Sequence, residues 1–211
     1  MLFDLDGTLV DTVPARIRAW RDVLAEHGLP TTDEALAPMI GIDGRRLARE
    51  AATAAGRDLD DHEAELVDRE AGERFDAYNG RPRPLPGAAA AIARLEGAVV
   101  PWAIATSSRA AQVGGSVGAL GLERQPRIID GSRVPNAKPA PDLLLLAADE
   151  MGFAPAEVWY VGDATWDMAA AVAAGMRPIG VLAGSAVNAG DLRRAGAVEV
   201  LGTLDELVLP G

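Results

Sequence analysis

The sequence predicts an α/β fold, a parallel sheet core with an all-helical unit inserted after its first strand. Three observations carry this expectation. After Gly87, short apolar runs alternate with helical periodicities to the end of the chain. Between about residues 12 and 82 the periodicity is helical throughout, with no strand-like run. Several apolar runs also end in acidic or hydroxyl residues, at the strand ends where open α/β sheets place their ligands.

The first run, Met1 to Leu5, reads as a buried strand. It is clipped against the usual ~5–6 residues, which suggests a start trimmed of upstream sequence. It leads into Asp4-Leu5-Asp6-Gly7-Thr8. Residues i and i+2 on a strand project to one face, so Asp4 and Asp6 are expected to point together. Two carboxylates so close need a cation, a shared proton, or both. Gly7 allows a tight turn, and Thr8 offers a hydroxyl and an N–H to an anion. Taken alone, the stretch also fits a surface turn.

Helical spacing follows. Ile17, Trp20 and Leu24 form one stripe, stopped by Gly28-Leu29-Pro30. Thr32, Ala35 and Leu36 suggest a short helix limited by Pro38. Leu47, Ala48, Ala51, Ala52 and Ala55 form a third stripe closed by Gly56, and Val67, Ala71, Phe75 and Tyr78 a fourth. Residues 79–87, with three prolines and two glycines, read as a return linker. The core is therefore assigned to 1–11 and 83–211, and the inserted helical unit to 12–82.

Within the returning core, helices are expected at 87–96, near 109–119, from Pro139, over 165–174 and near 189–195, with a short one from Thr203. Strands are expected at 102–105, around 127–129, at 158–161, at 178–181 and at 197–200.

Composition narrows the chemistry. The 211 residues carry 20 basic and 31 acidic side chains, a net charge of −11. Nucleic acid or an anionic membrane as main partner would need a basic face, so neither is expected. The chain has no cysteine, which excludes disulfides, thiolate metal sites and a Cys nucleophile. His27 and His62 leave little room for imidazole chemistry. No apolar run reaches the ~18–20 residues of a membrane span, and no secretory signal pattern precedes the motif. A cytoplasmic location follows as the expectation.

Three later strand ends carry polar groups. Thr106-Ser107-Ser108 is either a plain N-cap or an anion site backed by a helix N-terminus. In Lys138-Pro139, the proline disfavours helix at Lys138 and permits one just after it. That lysine either reaches back over the sheet end or stands in solvent. In Gly162-Asp163-Ala164-Thr165-Trp166-Asp167, the two aspartates could simply charge a helix start. Alternatively Asp163 converges with Asp4 and Asp6 on one edge, an oxygen set suited to a hard cation such as Mg²⁺.

Taken in order, Asp4-Leu5-Asp6-Gly7-Thr8, Thr106, Lys138-Pro139 and Gly162-Asp163-(x3)-Asp167 resemble the four motifs of the haloacid dehalogenase superfamily. The resemblance covers essentially the whole chain and is closest to the phosphoglycolate phosphatase and β-phosphoglucomutase branch. It implies a Rossmann-like core and makes the helical insertion a cap. It further implies that Asp4 is the nucleophile forming an aspartyl-phosphate and that Asp6 is the acid and then the base, binding metal through its backbone carbonyl. By the same resemblance Thr106 holds phosphoryl oxygens and Lys138 offsets charge on the nucleophile and phosphate. Asp4, Asp6 and Asp163 would bind Mg²⁺, with Asp167 behind them or paired to Lys138. The dehalogenases of the superfamily lack the second aspartate, so Asp6 favours phosphate chemistry.

The expected function is a Mg²⁺-dependent phosphatase of a small phosphorylated metabolite, working as a monomer or weak homodimer. Gly7, Thr8, Ser107, Ser108, Arg16 and Arg45 are the candidate substrate contacts, with Arg46 and Arg109 beside them. An arginine could pair with a carboxylate or second phosphate of the substrate. Arg16 stands about where the sugar-phosphate mutases carry a cap histidine, which weakens the alternative of a mutase. A phospho-accepting signalling module is the alternative from another class. Trp20 and Trp166 are expected to pack, and neither histidine is given a role.

Overall fold

A computed structural model describes residues 1–108 and 110–209. Leu2–Phe3 (β1) is the first strand, and the chain then turns at Gly7 and runs into four helical segments. These are Val13–Glu26 (α1), Asp33–Leu36 (α2) continued by a 3-10 turn through Pro38, Gly44–Ala54 (α3) and Asp61–Tyr78 (α4). After the linker come Ala88–Gly97 (α5), Ala103–Thr106 (β2), Ala110–Ala119 (α6) and Ile128–Asp130 (β3). Asp142–Met151 (α7), Trp159–Gly162 (β4), Thr165–Ala174 (α8), Arg177–Val181 (β5), Ala189–Arg194 (α9) and Glu199–Leu201 (β6) complete the described order.

Among the described residues the strands form one parallel sheet in the order β3-β2-β1-β4-β5-β6. This is the parallel α/β core that the sequence predicts, and its strand order is doubly wound. Strand parity builds the layers. Phe3, Ile104 and Val161 point into a cluster with α5 and α6, while Leu2, Ala103, Ala105 and Tyr160 point into another with α7 and α8. Both faces are covered, as a parallel sheet requires. The helical segments enclose their own cluster, built around Trp20, Val23, Leu24, Leu36, Leu47, Val67 and Ala71.

Two passages join that cluster to the sheet, and they run side by side. Val10 and Pro84 form an antiparallel bridge, Asp11 N–H donates to the Arg83 carbonyl at 2.9 Å, and Leu85 N–H donates to the Leu9 carbonyl at 2.9 Å. Helix α4 begins with a reciprocal capping box, Asp60 accepting from Glu63 N–H and Glu63 accepting from Asp60 N–H.

The differences from expectation are local. The first strand pairs over two residues only, although Met1 to Leu5 are all buried. Strand β2 starts at Ala103, not Trp102, and β3 and β4 each end one residue later than read. Helix α7 starts at Asp142 and not at Pro139. A turn closed by Ala140 N–H to the Ala137 carbonyl occupies the intervening residues. Pro139 and Pro141 both suit a helix start, and sequence spacing gave no way to choose between them. Ala55 falls outside α3, which ends at Ala54.

Candidate active site

The sheet order places a topological switch at β1, whose neighbours on its two sides are β2 and β4. The chain leaves β1 at Asp4, ends β2 at Thr106 and leaves β4 at Asp163. All three residues line one cavity of about 400 Å³ at this edge. Asp6, Ser107, Ser108, Gly131 and Ala164 line it from the sheet side, and Arg16, Trp20, Asp43, Arg45, Leu47 and Asp68 from the helical side.

Lys138 is the pivot beneath the floor of that cavity. It is 2% exposed, and its ammonium donates to Asp4 Oδ1 at 2.9 Å, Asp167 Oδ1 at 2.8 Å and the Tyr160 hydroxyl at 2.6 Å. An ammonium has three N–H groups, so the donor set is complete. The Tyr160 proton has the Ala105 carbonyl and Asp167 Oδ1 as acceptors, at 3.2 and 3.1 Å. Burial works against the charged lysine, but the Asp167 and Asp4 carboxylates outweigh it and hold the ammonium protonated.

Asp4 is pushed up to about 7, chiefly by burial, with Lys138 opposing and Asp167 and Asp6 adding repulsion. Burial also raises Asp163 well above the carboxylate range, reinforced by Asp167 and Asp4, although the Thr8 hydroxyl donates to its Oδ1 at 2.8 Å. Ser185 Oγ donates to the Asp163 carbonyl at 2.6 Å and fixes the turn after β4. Buried carboxylates that are driven toward protonation are the groups a cation would relieve. One oxygen from each of Asp4, Asp163 and Asp167 lies within 4.8 Å of the others, close enough to hold one ion. This donor set of carboxylate oxygens fits a hard divalent cation.

Gly7 shapes the same spot. Its φ is +81°, and a Cβ there would lie 2.3 Å from Asp163 Oδ2. The turn after β1 thus reaches the carboxylate only because residue 7 has no side chain. Asp167 is committed elsewhere: Oδ1 takes Lys138 and Tyr160, and Oδ2 accepts from Ala164 N–H at 3.0 Å.

The Asp6 carboxylate stands apart from that group. Its Oδ2 accepts from Arg16 Nη2 at 3.2 Å and from Ser108 Oγ, while Oδ1 is buried with no partner. Arg16 reaches it from α1 with its guanidinium over the Phe75 ring of α4, 3.9 Å from the centroid. Arg16 also donates to Ser108 Oγ at 3.2 Å. Thr106 Oγ1 accepts from Ser108 N–H at 3.1 Å, and Ser107 Oγ is buried and unpartnered.

The cavity thus brings together Asp4, Asp6, Thr106, Ser107, Ser108, Asp163, Arg16 and Arg45. Gly7, Thr8, Lys138 and Asp167 support it from behind. Arg46 turns to Glu50 and the Trp166 ring, and Arg109 lies outside the described residues. Trp20 packs in the helical cluster, while Trp166 donates from its indole to the Pro38 carbonyl at 2.8 Å. His27 pairs with Glu70 at 2.7 Å, far along the chain from these motifs. Sequence reading missed Tyr160 and Ser185, as well as the carboxylates of Asp43, Glu65 and Asp68. The signal for Tyr160 was its polar tip on an otherwise apolar strand.

A family model described as haloacid dehalogenase-like hydrolase matches residues 1–181. The chain belongs to this family. Hexitol phosphatase A of Escherichia coli K12 is 37% identical over 180 residues, 85% of this chain and 81% of that protein. Fructose-1-phosphate phosphatase YqaB of the same organism is 31% identical over 182 residues, 86% of this chain and 95% of that protein. The crystal structure of a hydrolase from Pseudomonas syringae superposes with a TM-score of 0.89 at 30% identity, covering 97% of this chain and 93% of that one. The motif residues named from the sequence lie together at this sheet edge, lining the cavity or bonded just beneath it.

Proposed function

We propose that the chain is a Mg²⁺-dependent phosphatase that hydrolyses a small phosphorylated metabolite through an aspartyl-phosphate on Asp4. The observation that carries this reading is the Asp4 carboxylate, fixed by Lys138 at the floor of the cavity with Asp163 beside it and Asp6 at its rim. The names of the related phosphatases support it.

In this reading an oxygen of Asp4 attacks phosphorus as the ester bond to the alcohol breaks. Asp6 gives its proton to the departing oxygen, then takes one from the water that cleaves the aspartyl-phosphate, returning Asp4 and releasing phosphate. Thr106 and the 106–108 turn hold phosphoryl oxygens, and Lys138 favours the ionised form of Asp4 and orients it. Asp4, Asp163 and the Asp6 backbone carbonyl would hold Mg²⁺, which when bound offsets the phosphoryl charge. Residues 12–82 act as the cap that excludes water, on a core of 1–11 and 83–211. The net charge of −11 supports a small-molecule partner over nucleic acid or an anionic membrane. A cytoplasmic monomer or weak homodimer completes the reading.

The test is turnover of p-nitrophenyl phosphate. We expect activity with MgCl₂, loss on chelation, and at least a ~10³-fold lower kcat in Asp4→Asn with an unchanged far-UV spectrum. Normal turnover by Asp4→Asn would remove Asp4 as nucleophile.

A further inference from the structure

We propose that Trp166 is a positioning residue that latches one wall of the cavity, residues 37–45 of the helical unit, onto the first turn of α8. The latch rests on geometry, and its effect on turnover rests on the phosphatase reading.

Ile40, Gly41, Ile42, Asp43, Gly44 and Arg45 line the cavity from the helical side. They connect the 3-10 turn after α2 to the start of α3. The backbone bonds inside this connection are long. Ile40 N–H donates to the Ala37 carbonyl and Ile42 N–H to the Met39 carbonyl, both at 3.4 Å. Such bonds commonly lie at about 2.9–3.0 Å. A connection so loosely tied within itself takes its position from the surface it rests on.

That surface is the turn after β4. The Trp166 indole N–H donates to the Pro38 carbonyl at 2.8 Å, and the Arg46 guanidinium lies 5.0 Å from the centre of the ring. The ring itself packs against the hydrophobic cluster of the helical unit. At Gly41 φ is +98°, and a Cβ there would lie 3.2 Å from Ala164 Cβ and 3.8 Å from Trp166 Cδ1. The gap lined by Ala37, Pro38 and Ile40 on one side and by Ala164, Thr165 and Ala186 on the other holds about 10 Å³. That is room for one water at most. The wall is seated directly on the core.

The seat is fixed relative to Asp4. Ala164 N–H donates to Asp167 Oδ2 at 3.0 Å, and Asp167 Oδ1 accepts from Lys138, which also holds Asp4. Trp166 stands between Ala164 and Asp167 in the chain. One turn of helix therefore gives a carboxylate to the floor of the cavity and an indole to its wall, and sets the spacing between them. Pro38 is exposed, so its bond to the indole can be exchanged for one to water. A tie of this kind holds the wall in place and still lets it open to admit substrate and release product.

Trp166→Phe keeps the ring and removes the N–H. Hydrogen exchange read by mass spectrometry is expected to quicken by at least about three-fold in peptides covering 37–45, with α4 and β4 unchanged. In turnover of p-nitrophenyl phosphate with MgCl₂, KM is expected to rise by at least about three-fold while kcat stays within about two-fold of wild type. The wall contributes binding, and the sheet edge carries the reacting groups. Gly41→Ala, which presses on Ala164 from the wall side, is expected to quicken exchange in the same peptides. Unchanged exchange at 37–45 in Trp166→Phe overturns the latch, as does a rise spread equally over the whole chain. Unchanged exchange in Gly41→Ala overturns the seat at Ala164. Faster exchange with an unchanged KM, or a loss confined to kcat, overturns the assignment of 37–45 as a substrate wall. If the wild type fails to turn over p-nitrophenyl phosphate, the phosphatase reading falls by itself, and exchange at 37–45 still decides the latch.

Discussion

Lys138 has its three donors spent on Asp4, Asp167 and Tyr160, all of them buried, so each bond has no water to replace it. Removing one charge from such a set leaves another uncompensated. Asp167→Asn is expected to lower stability by about 3–5 kcal/mol in urea unfolding. Tyr160→Phe, which removes one neutral partner, is expected to cost about 1–3 kcal/mol. Equal losses would deny Asp167 its role as counter-ion. Asp4 adds a pH dependence. Its folded value of about 7 lies above the ordinary carboxyl value of 3.8. Between those values the metal-free folded chain keeps a proton that the unfolded chain has released. The stabilisation is therefore complete below about 4 and is lost as pH rises towards 7, by up to about 1.4 kcal/mol per pH unit. A divalent cation held by Asp4, as proposed, would displace the same proton, so the rise in Tm on adding MgCl₂ should grow between pH 5 and pH 8. An equal rise at both ends would take Asp4 out of the ion site. At this scale the sequence was generous for charged residues and offered for Tyr160 only a polar tip on an apolar strand. Asp4 and Asp163 announce themselves as polar groups at the ends of apolar runs, and Lys138 by the proline that follows it. The Tyr160 hydroxyl reaches Lys138 only through packing between β4 and the loop before α7, which no local pattern encodes.

The elements that carry these residues are turns at strand ends, and their glycines are placed by contact. Gly7→Ala would force a Cβ against Asp163 Oδ2 in a left-handed backbone, so either the turn or the carboxylate must move. We expect a loss of at least about 1 kcal/mol in stability. The Tm gain from MgCl₂ should fall with it, whereas an intact gain would show that the ion does not depend on the Gly7 approach. The need for a tight turn at Gly7 was readable from the motif, but its closeness to a residue more than 150 positions away was not. Gly162 is a parallel case, since a Cβ there would lie 2.5 Å from Asp167 Cβ. Element existence was legible because each helix presents a stripe and each strand an apolar run. Element edges were not, because strand ends are set by the neighbouring strand. Helix α7 shows the limit best: two prolines compete for its first turn, and the reach of Lys138 toward Asp4 accompanies the later start.

At the scale of the molecule, Arg16 links the helical unit to the Asp6 and Ser108 side of the cavity, with Phe75 of α4 behind it. Arg16→Ala is expected to reduce kcat/KM for p-nitrophenyl phosphate by roughly 10²-fold, the scale of a misplaced catalytic group. Arg16→Lys should restore part of it, and an unaffected alanine variant would make the arginine a surface residue of the cap. The helical run from Val13 to Tyr78 was legible because the periodicity changes at its two ends. The docking of the unit was not, because Arg16, Trp166 and Asn79 make their contacts across elements that sequence spacing treats separately. The two-residue strand β1 has a consequence for how the molecule assembles. Its partners, Ala103 on one side and Tyr160 on the other, lie a hundred or more positions downstream. Asp4 therefore cannot be seated while the chain is only partly synthesised. Contacts of such separation form late, after their closure entropy has been met. Competence for phosphoryl transfer should then appear with the last phase of refolding, never with an early intermediate, and a truncated nascent chain lacking β4 should show none.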